Sequence, residues 1–167
     1  LPRRLRRDSA GRMRARFLLP EGLCRPVTGL PDDPAEALAS IETPSYHLSL
    51  ELLEQAGTAS LSFFCKEREG LTLTVDWDNG EIRVENHTVT HPERRQSFPI
   101  PDRETGRLQV EAVADVCCLE LCLNGLEFVT HCVYGGGNAV RADCAPGCLR
   151  LLALDEIDAA PLTLAEQ

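Results

Sequence analysis

The stretch from Leu108 to Tyr134, LQVEAVADVCCLELCLNGLEFVTHCVY, constrains the fold more than any other part of the chain. Apolar residues alternate with other types on both sides of Asn124-Gly125. A period of 2 sends successive side chains to opposite faces of a strand, and Asn-Gly accepts the positive φ that both central positions of a primed turn require. The stretch therefore reads as a β-hairpin. One of its faces is apolar and has to be buried against another layer.

The same pattern recurs along the chain. Strands are expected over 2–7, 12–18, 45–54, 59–67, 71–77, 81–87, 94–99, 108–115, 118–124, 126–134, 138–143 and 148–155. Turn residues separate them: Gly57, Asp78-Asn79-Gly80, Thr105-Gly106, the triple glycine 135–137 and Pro146-Gly147. Leu48, Leu50 and Leu52 share one face of their strand, and Leu71, Leu73, Val75 and Trp77 share one face of theirs. Two sheets ~10 Å apart would hide such sets against each other. The expected class is thus all-β: an antiparallel two-sheet β-sandwich of the lectin-like jelly-roll type, one domain over residues 1–167. Strand 148–155 is apolar on both faces and should be central or covered by a neighbouring domain. The segment Cys24–Pro44 reads as a loop with room for one short helix over Asp33–Ser40, and 158–167 as a loosely held tail.

Charge bounds the partners. The net charge of −9 argues against general nucleic-acid binding. Seven arginines against Asp8 give the first 16 residues a charge of +6, which leaves −15 on the rest. A basic arm on an acidic body can be a nucleic-acid tail. The simpler reading is an arginine-bearing two-stranded entry lying on acidic surface of its own domain or of a neighbour. No run approaches the ~20 apolar residues that span a bilayer, and no signal-peptide pattern is visible. The chain opens on Leu1 and has its one Met at Met13, so it is expected to be a piece of a longer protein whose targeting signal is not in view.

The chain has eight cysteines. In a secreted domain an even count suggests disulfides. Here five lie in apolar strand runs, where a free thiol behaves as a small hydrophobe. Cys144 and Cys148 have no second ligand pair for zinc. Cys118 and Cys122 share a strand face about 13 Å apart at ~3.3 Å per residue, too far to bridge. Reduced, buried thiols are the leading reading, with disulfides and metal as the alternatives, and reduced thiols point to the cytoplasm.

The order Asp115, Glu120, Asn124-Gly125, Thr130, Tyr134 resembles the "VDRSSVEVFVNDGE…T…YP" segment of glycoside hydrolase family 32. Leu1-Pro2-Arg3 with Asp8-Ser9-Ala10-Gly11 is similar to that family's "LPREL…DGRL", and Gly70–Glu85 is similar to its "L.YD…G.L.LDR" hairpin. Val116 stands where the family has Arg, Cys122 where it has an aromatic, and no proline follows Tyr134. The resemblance implies the C-terminal β-sandwich of an invertase, sucrose-6-phosphate hydrolase, levanase or inulinase. It further implies that Asp115, Glu120, Asn124 and Gly125 are structural signature positions. The expected partner is the enzyme's own catalytic five-bladed propeller, and a second copy of the chain is the other candidate.

Retaining glycoside hydrolysis needs two carboxyls ~5 Å apart. The family's WMNDPNG, RDP and EC motifs, which carry them, are missing here. Trp77-Asp78-Asn79-Gly80 reads as a hairpin turn. Glu120 could serve as an acid in its Leu-rich strand, but a strand-edge position or an arginine partner is the simpler reading. His47, His87, His91 and His131 lack ligand spacing and read as surface or structural residues. No GxSxG or phosphate-loop pattern occurs, and the Asn86-His87-Thr88 glycosylation match carries no weight in a cytoplasmic chain. No catalytic residue, cofactor or metal is expected, and neither nucleic acid nor membrane as partner. The competing expectation is a free-standing carbohydrate-binding, lectin-like module, which an aromatic content of 5% makes harder to build.

Overall fold

The computed structural model describes residues 3–19, 22–66, 70–88, 95–134 and 137–158. Leu1, Pro2, His91, Gly135, Gly136 and 159–167 lie outside them. Among the described residues the strands are β1 (Arg3–Arg7), β2 (Met13–Phe17), β3 (Cys24–Pro26), β4 (Ser45–Leu53), β5 (Thr58–Cys65), β6 (Leu71–Asp76), β7 (Glu81–Asn86), β8 (Arg95–Pro99), β9 (Arg107–Asp115), β10 (Cys118–Leu123), β11 (Glu127–Cys132), β12 (Ala139–Asp143) and β13 (Leu149–Ile157). They form an antiparallel β-sandwich. A six-stranded sheet, ordered β11-β10-β9-β4-β13-β3, faces a five-stranded sheet, ordered β12-β5-β6-β7-β8, and β1-β2 is a separate two-stranded ribbon.

The core lies between the two large sheets. Leu48, Leu50 and Leu52 of β4 and Leu119, Leu121 and Leu123 of β10 meet Leu61, Leu71, Leu73, Val75, Trp77 and Ile82 from the opposite layer. All of these side chains are fully or almost fully buried. Removing each large aliphatic from water contributes about 1.5–3 kcal/mol, and this drives the two layers together.

The strand boundaries follow the alternation to within two residues. The difference is β3, whose three residues pair with Asp155–Ile157 of β13; Pro26 and the short length hide it as a strand in the sequence. The expected helix is α1 (Pro34–Ala39). Asp33 caps it, its Oδ1 accepting the N–H groups of Ala35 at 2.9 Å and Glu36 at 3.0 Å, and Pro34 fits the first turn, where no backbone donor is needed. Ala37 and Leu38 are buried against β12 and β13. Strand β13 lies between β4 and β3. Its register shifts between Leu151 and Ala153, which leaves Leu152 exposed at the irregularity.

Candidate functional site on the outer face of the six-stranded sheet

Because Leu119, Leu121 and Leu123 point inward, Cys118, Glu120 and Cys122 point outward. The ribbon β1-β2 lies over this outer face. Phe17 joins Val113 and Cys122 in a second small cluster with Phe128 beside them. Phe17 and Phe128 meet edge to face at 6.1 Å, and the Arg3 guanidinium sits 3.9 Å above the Phe128 ring. Cys122 Sγ reaches the Ala15 carbonyl at 3.4 Å, and burial pushes this thiol up to about 11. Val113 and Cys122 alternate out of the main core, so their burial is legible only once the ribbon is placed.

The Asn124-Gly125 turn is the anchor of the ribbon. Asn124 has φ 50° and Gly125 φ 70°, as a primed turn demands. Leu126 N–H closes the turn on the Leu123 carbonyl at 3.0 Å, yet the ladder resumes at Leu123–Glu127, so Leu126 is an extra residue. The Asn124 carbonyl accepts from Arg14 at 2.7 Å, and the Gly125 carbonyl accepts the Ala15 N–H at 2.9 Å. A side chain at Gly125 would begin 3.0 Å from the Ala15 carbonyl oxygen.

Arginines hold the ribbon's far end. Arg12 and Arg14 both pair with Asp102, and Asp8 accepts from Arg12 Nε at 3.1 Å and Arg14 Nε at 2.9 Å. The hydrogen bond from the Arg12 backbone, with the guanidiniums behind it, holds the Asp8 carboxyl at about 2. The basic entry thus lies on acidic groups of its own domain.

Asp115 and Glu120 also fall on this face, Asp115 opposite Cys118 and Glu120 opposite Val113. Asp115 ends β9 and accepts the Ser45 hydroxyl at 2.9 Å. Glu120 Oε2 lies 3.7 Å from Arg3. Sequence reasoning did not single out the polar bridge at His47. Its Nδ1 lies 2.9 Å from Asp155 and its Nε2 3.1 Å from Glu111, which ties β13, β4 and β9 together. Burial opposes a charge on this imidazole, but the two carboxylates outweigh it and raise its pKa above the usual histidine value. The signal was available: His47 alternates with the Leu48–Leu50–Leu52 face and so points outward with Glu111.

A cleft of about 340 Å³ opens where the ribbon meets the sheet, lined by Arg16, Glu51, Asp102, Thr105, Gln109 and Asn124 among others. None of its lining residues is aromatic. Its carboxylates are committed to arginines: Asp102 to Arg12 and Arg14, Glu51 to Arg107 at 3.6 Å and Arg150 at 3.4 Å. Trp77, Tyr46, Phe63 and Phe64 are spent on the core, and Tyr134 is the one large aromatic exposed among the described residues. Among those residues no cluster of histidine, cysteine and carboxylate groups is arranged to hold a metal ion, and no helix is long and apolar enough to cross a membrane. What the face does chemically is bind its own ribbon through hydrogen bonds and ion pairs.

No protein-family model matches the sequence, and no curated protein matches it. Solved structures do share its fold. The sucrose-6-phosphate hydrolase of Lactobacillus gasseri superposes with a TM-score of 0.70 at 14% identity, over 93% of this chain and 33% of that one. The family 32 β-fructofuranosidase of Bombyx mori gives 0.60 at 18% identity, over 93% of this chain and 32% of that one. A galectin of Caenorhabditis elegans gives 0.50 at 12% identity, over 84% of this chain and 94% of that one. The chain spans about a third of the length of the two enzymes. At these identities the likeness is one of fold, and the fold is that of the C-terminal β-sandwich module of glycoside hydrolase family 32 enzymes.

Proposed function

We propose that this chain is the non-catalytic β-sandwich module of a sucrose- or fructan-hydrolysing glycoside hydrolase, seated against a catalytic propeller of the same protein. The observation that carries the reading is coverage: 93% of the chain lies on 33% of the Lactobacillus gasseri enzyme. A module that accounts for so small a share of a hydrolase, and lacks the motifs that carry its two carboxylates, contributes something other than bond cleavage. The contribution is stability. Inter-domain interfaces of this kind bury ~600–1,500 Å², and exposed Val116, Tyr134 and Leu152 are apolar surface for a neighbour to cover. Self-association at high concentration follows from the same exposed surface.

The test is an assay of the purified chain for fructose release from sucrose, sucrose-6-phosphate and inulin, followed by its addition to a separately produced family 32 propeller from the same protein. No release, together with a raised melting temperature of the propeller, is the expected result. Fructose release above a blank would overturn the reading. The galectin-like fold favours a second reading, a free-standing sugar-binding module. Its weakness is the cleft without an aromatic ring on which a sugar could stack. Micromolar glycan binding by the chain alone, measured by calorimetry, would establish it in place of the first.

A further inference from the structure

Three cysteines converge on one rim of the six-stranded sheet. Cys117 and Cys118 enter β10, and Cys132 ends β11. The register of the two strands sets Cys118 directly opposite Cys132. Val133 N–H donates to the Cys117 carbonyl at 2.6 Å. That bond flanks the Cys118–Cys132 position, which makes it a non-hydrogen-bonded pair. In such pairs the Cα atoms stand ~4.5 Å apart and the side chains come closest, within the ~4.4–6.8 Å that a disulfide spans. Both thiols are free and lie on the outer face; Cys132 is exposed and Cys118 half-buried.

The cause of this register is the extra residue at the hairpin turn. A two-residue connection would pair Leu123 with Leu126 and set Cys118 against His131. Leu126 shifts the ladder by one, and Cys118 meets Cys132 instead.

We propose that Cys118 and Cys132 are a dithiol modification site, converted reversibly into a cross-strand disulfide by small-molecule disulfides of the oxidised-glutathione type. The Cys132 thiolate is the group a soluble reagent reaches first. It attacks one sulfur of the reagent, whose S–S bond breaks and releases one thiolate, leaving a mixed disulfide on Cys132. Cys118 gives its proton to solvent and attacks the Cys132 sulfur, which expels the second thiolate. The two protein thiols lose two protons and two electrons, and the reagent disulfide takes them up as two thiols. The product clamps β11, which among the described residues pairs only with β10, at the rim that carries exposed Val116 and Tyr134. This inference does not depend on the module reading above.

The experiment equilibrates the native chain in glutathione buffers from fully reduced to mostly oxidised, blocks remaining thiols with iodoacetamide, and maps cysteine states by peptide mass spectrometry. A Cys118–Cys132 cross-link that grows with oxidised glutathione and vanishes on reduction is expected, with Cys122 unmodified until the protein unfolds. Cys118→Ser should trap Cys132 as a stable glutathione adduct, and Cys117→Ser should leave the cross-link intact. Circular dichroism of each variant checks that it folds. The proposal is overturned if both thiols are alkylated at every ratio, if Cys132 pairs with Cys117, or if the unmodified sequence halts at the glutathione adduct.

Discussion

Asn124 and Gln109 exchange two hydrogen bonds across the end of β9. The Asn124 N–H donates to the Gln109 carbonyl at 2.9 Å, and the Gln109 N–H donates to Asn124 Oδ1 at 2.7 Å. The Asn124 amide also donates to the Pro101 carbonyl at 2.6 Å. One side chain thereby stands in for a missing stretch of ladder and ties the hairpin to Pro101, just before the turn over Arg103–Thr105. Asn124→Ala strands the Gln109 donor, at a cost of about 1–3 kcal/mol, and keeps a non-glycine residue at left-handed φ. Together these should destabilise the fold by about 2–4 kcal/mol in urea unfolding. Asn124→Gly relieves only the backbone part and should be milder by about 1 kcal/mol. An Asn124→Ala change within ~0.5 kcal/mol of the unmodified protein would contradict this anchoring role.

Gly125 is expected to matter through the ribbon and not only through its own φ. Gly57→Ala, at φ 78° with nothing within 4 Å of the new Cβ, measures backbone strain by itself, about 1–2 kcal/mol. Gly125→Ala adds a tight 3.0 Å contact with the Ala15 carbonyl oxygen. It should cost more than Gly57→Ala and speed amide hydrogen exchange at Ala15. Equal costs and unchanged exchange would mean that the ribbon is held elsewhere.

The hairpin shows how far the sequence reads and where it stops. Alternation and Asn-Gly located β10, β11 and the left-handed turn, because those are local properties of strand and backbone. The inward face of β4 and β6 was legible for the same reason. The ladder offset from Leu126 was not, because it depends on how the turn closes onto β2 and β9. With it went the juxtaposition of Cys118 and Cys132, which is set by the register between two strands and not by spacing along one. The same limit hid the three-strand bridge at His47, whose partners Glu111 and Asp155 are 64 and 108 residues away in the chain. Cys24–Pro26 escaped as a strand because a three-residue edge carries too little pattern.

Tyr46 is fully buried, and its hydroxyl finds no hydrogen-bond partner among the described residues. Burial raises its pKa, so the phenol stays neutral. A buried hydroxyl without a partner costs its desolvation and returns nothing. Tyr46→Phe keeps the ring and removes that cost. It should stabilise the protein by about 1 kcal/mol, seen as a rise of ~2–4 °C in melting temperature. A fall in melting temperature would show that the hydroxyl is engaged.

His47 gives the fold a pH dependence of definite sign. Its folded pKa lies above the unfolded value of about 6.5, because Glu111 and Asp155 outweigh the burial that opposes the charge. The folded protein then binds the proton more tightly than the unfolded chain. The stabilisation is fully present below pH ~6.5 and is lost as pH rises through the folded pKa. His47→Gln keeps hydrogen-bonding capacity without the charge. The two proteins should differ most near pH ~5.5, where charge-assisted hydrogen bonds of this type contribute roughly 1–3 kcal/mol. At a pH well above the folded pKa the imidazole is neutral like the glutamine amide, and the gap should narrow. Urea unfolding of both proteins at the two pH values measures the change directly. A gap that stays constant, or that widens toward alkaline pH, would mean that the two carboxylates do not hold a charged imidazole between β13, β4 and β9.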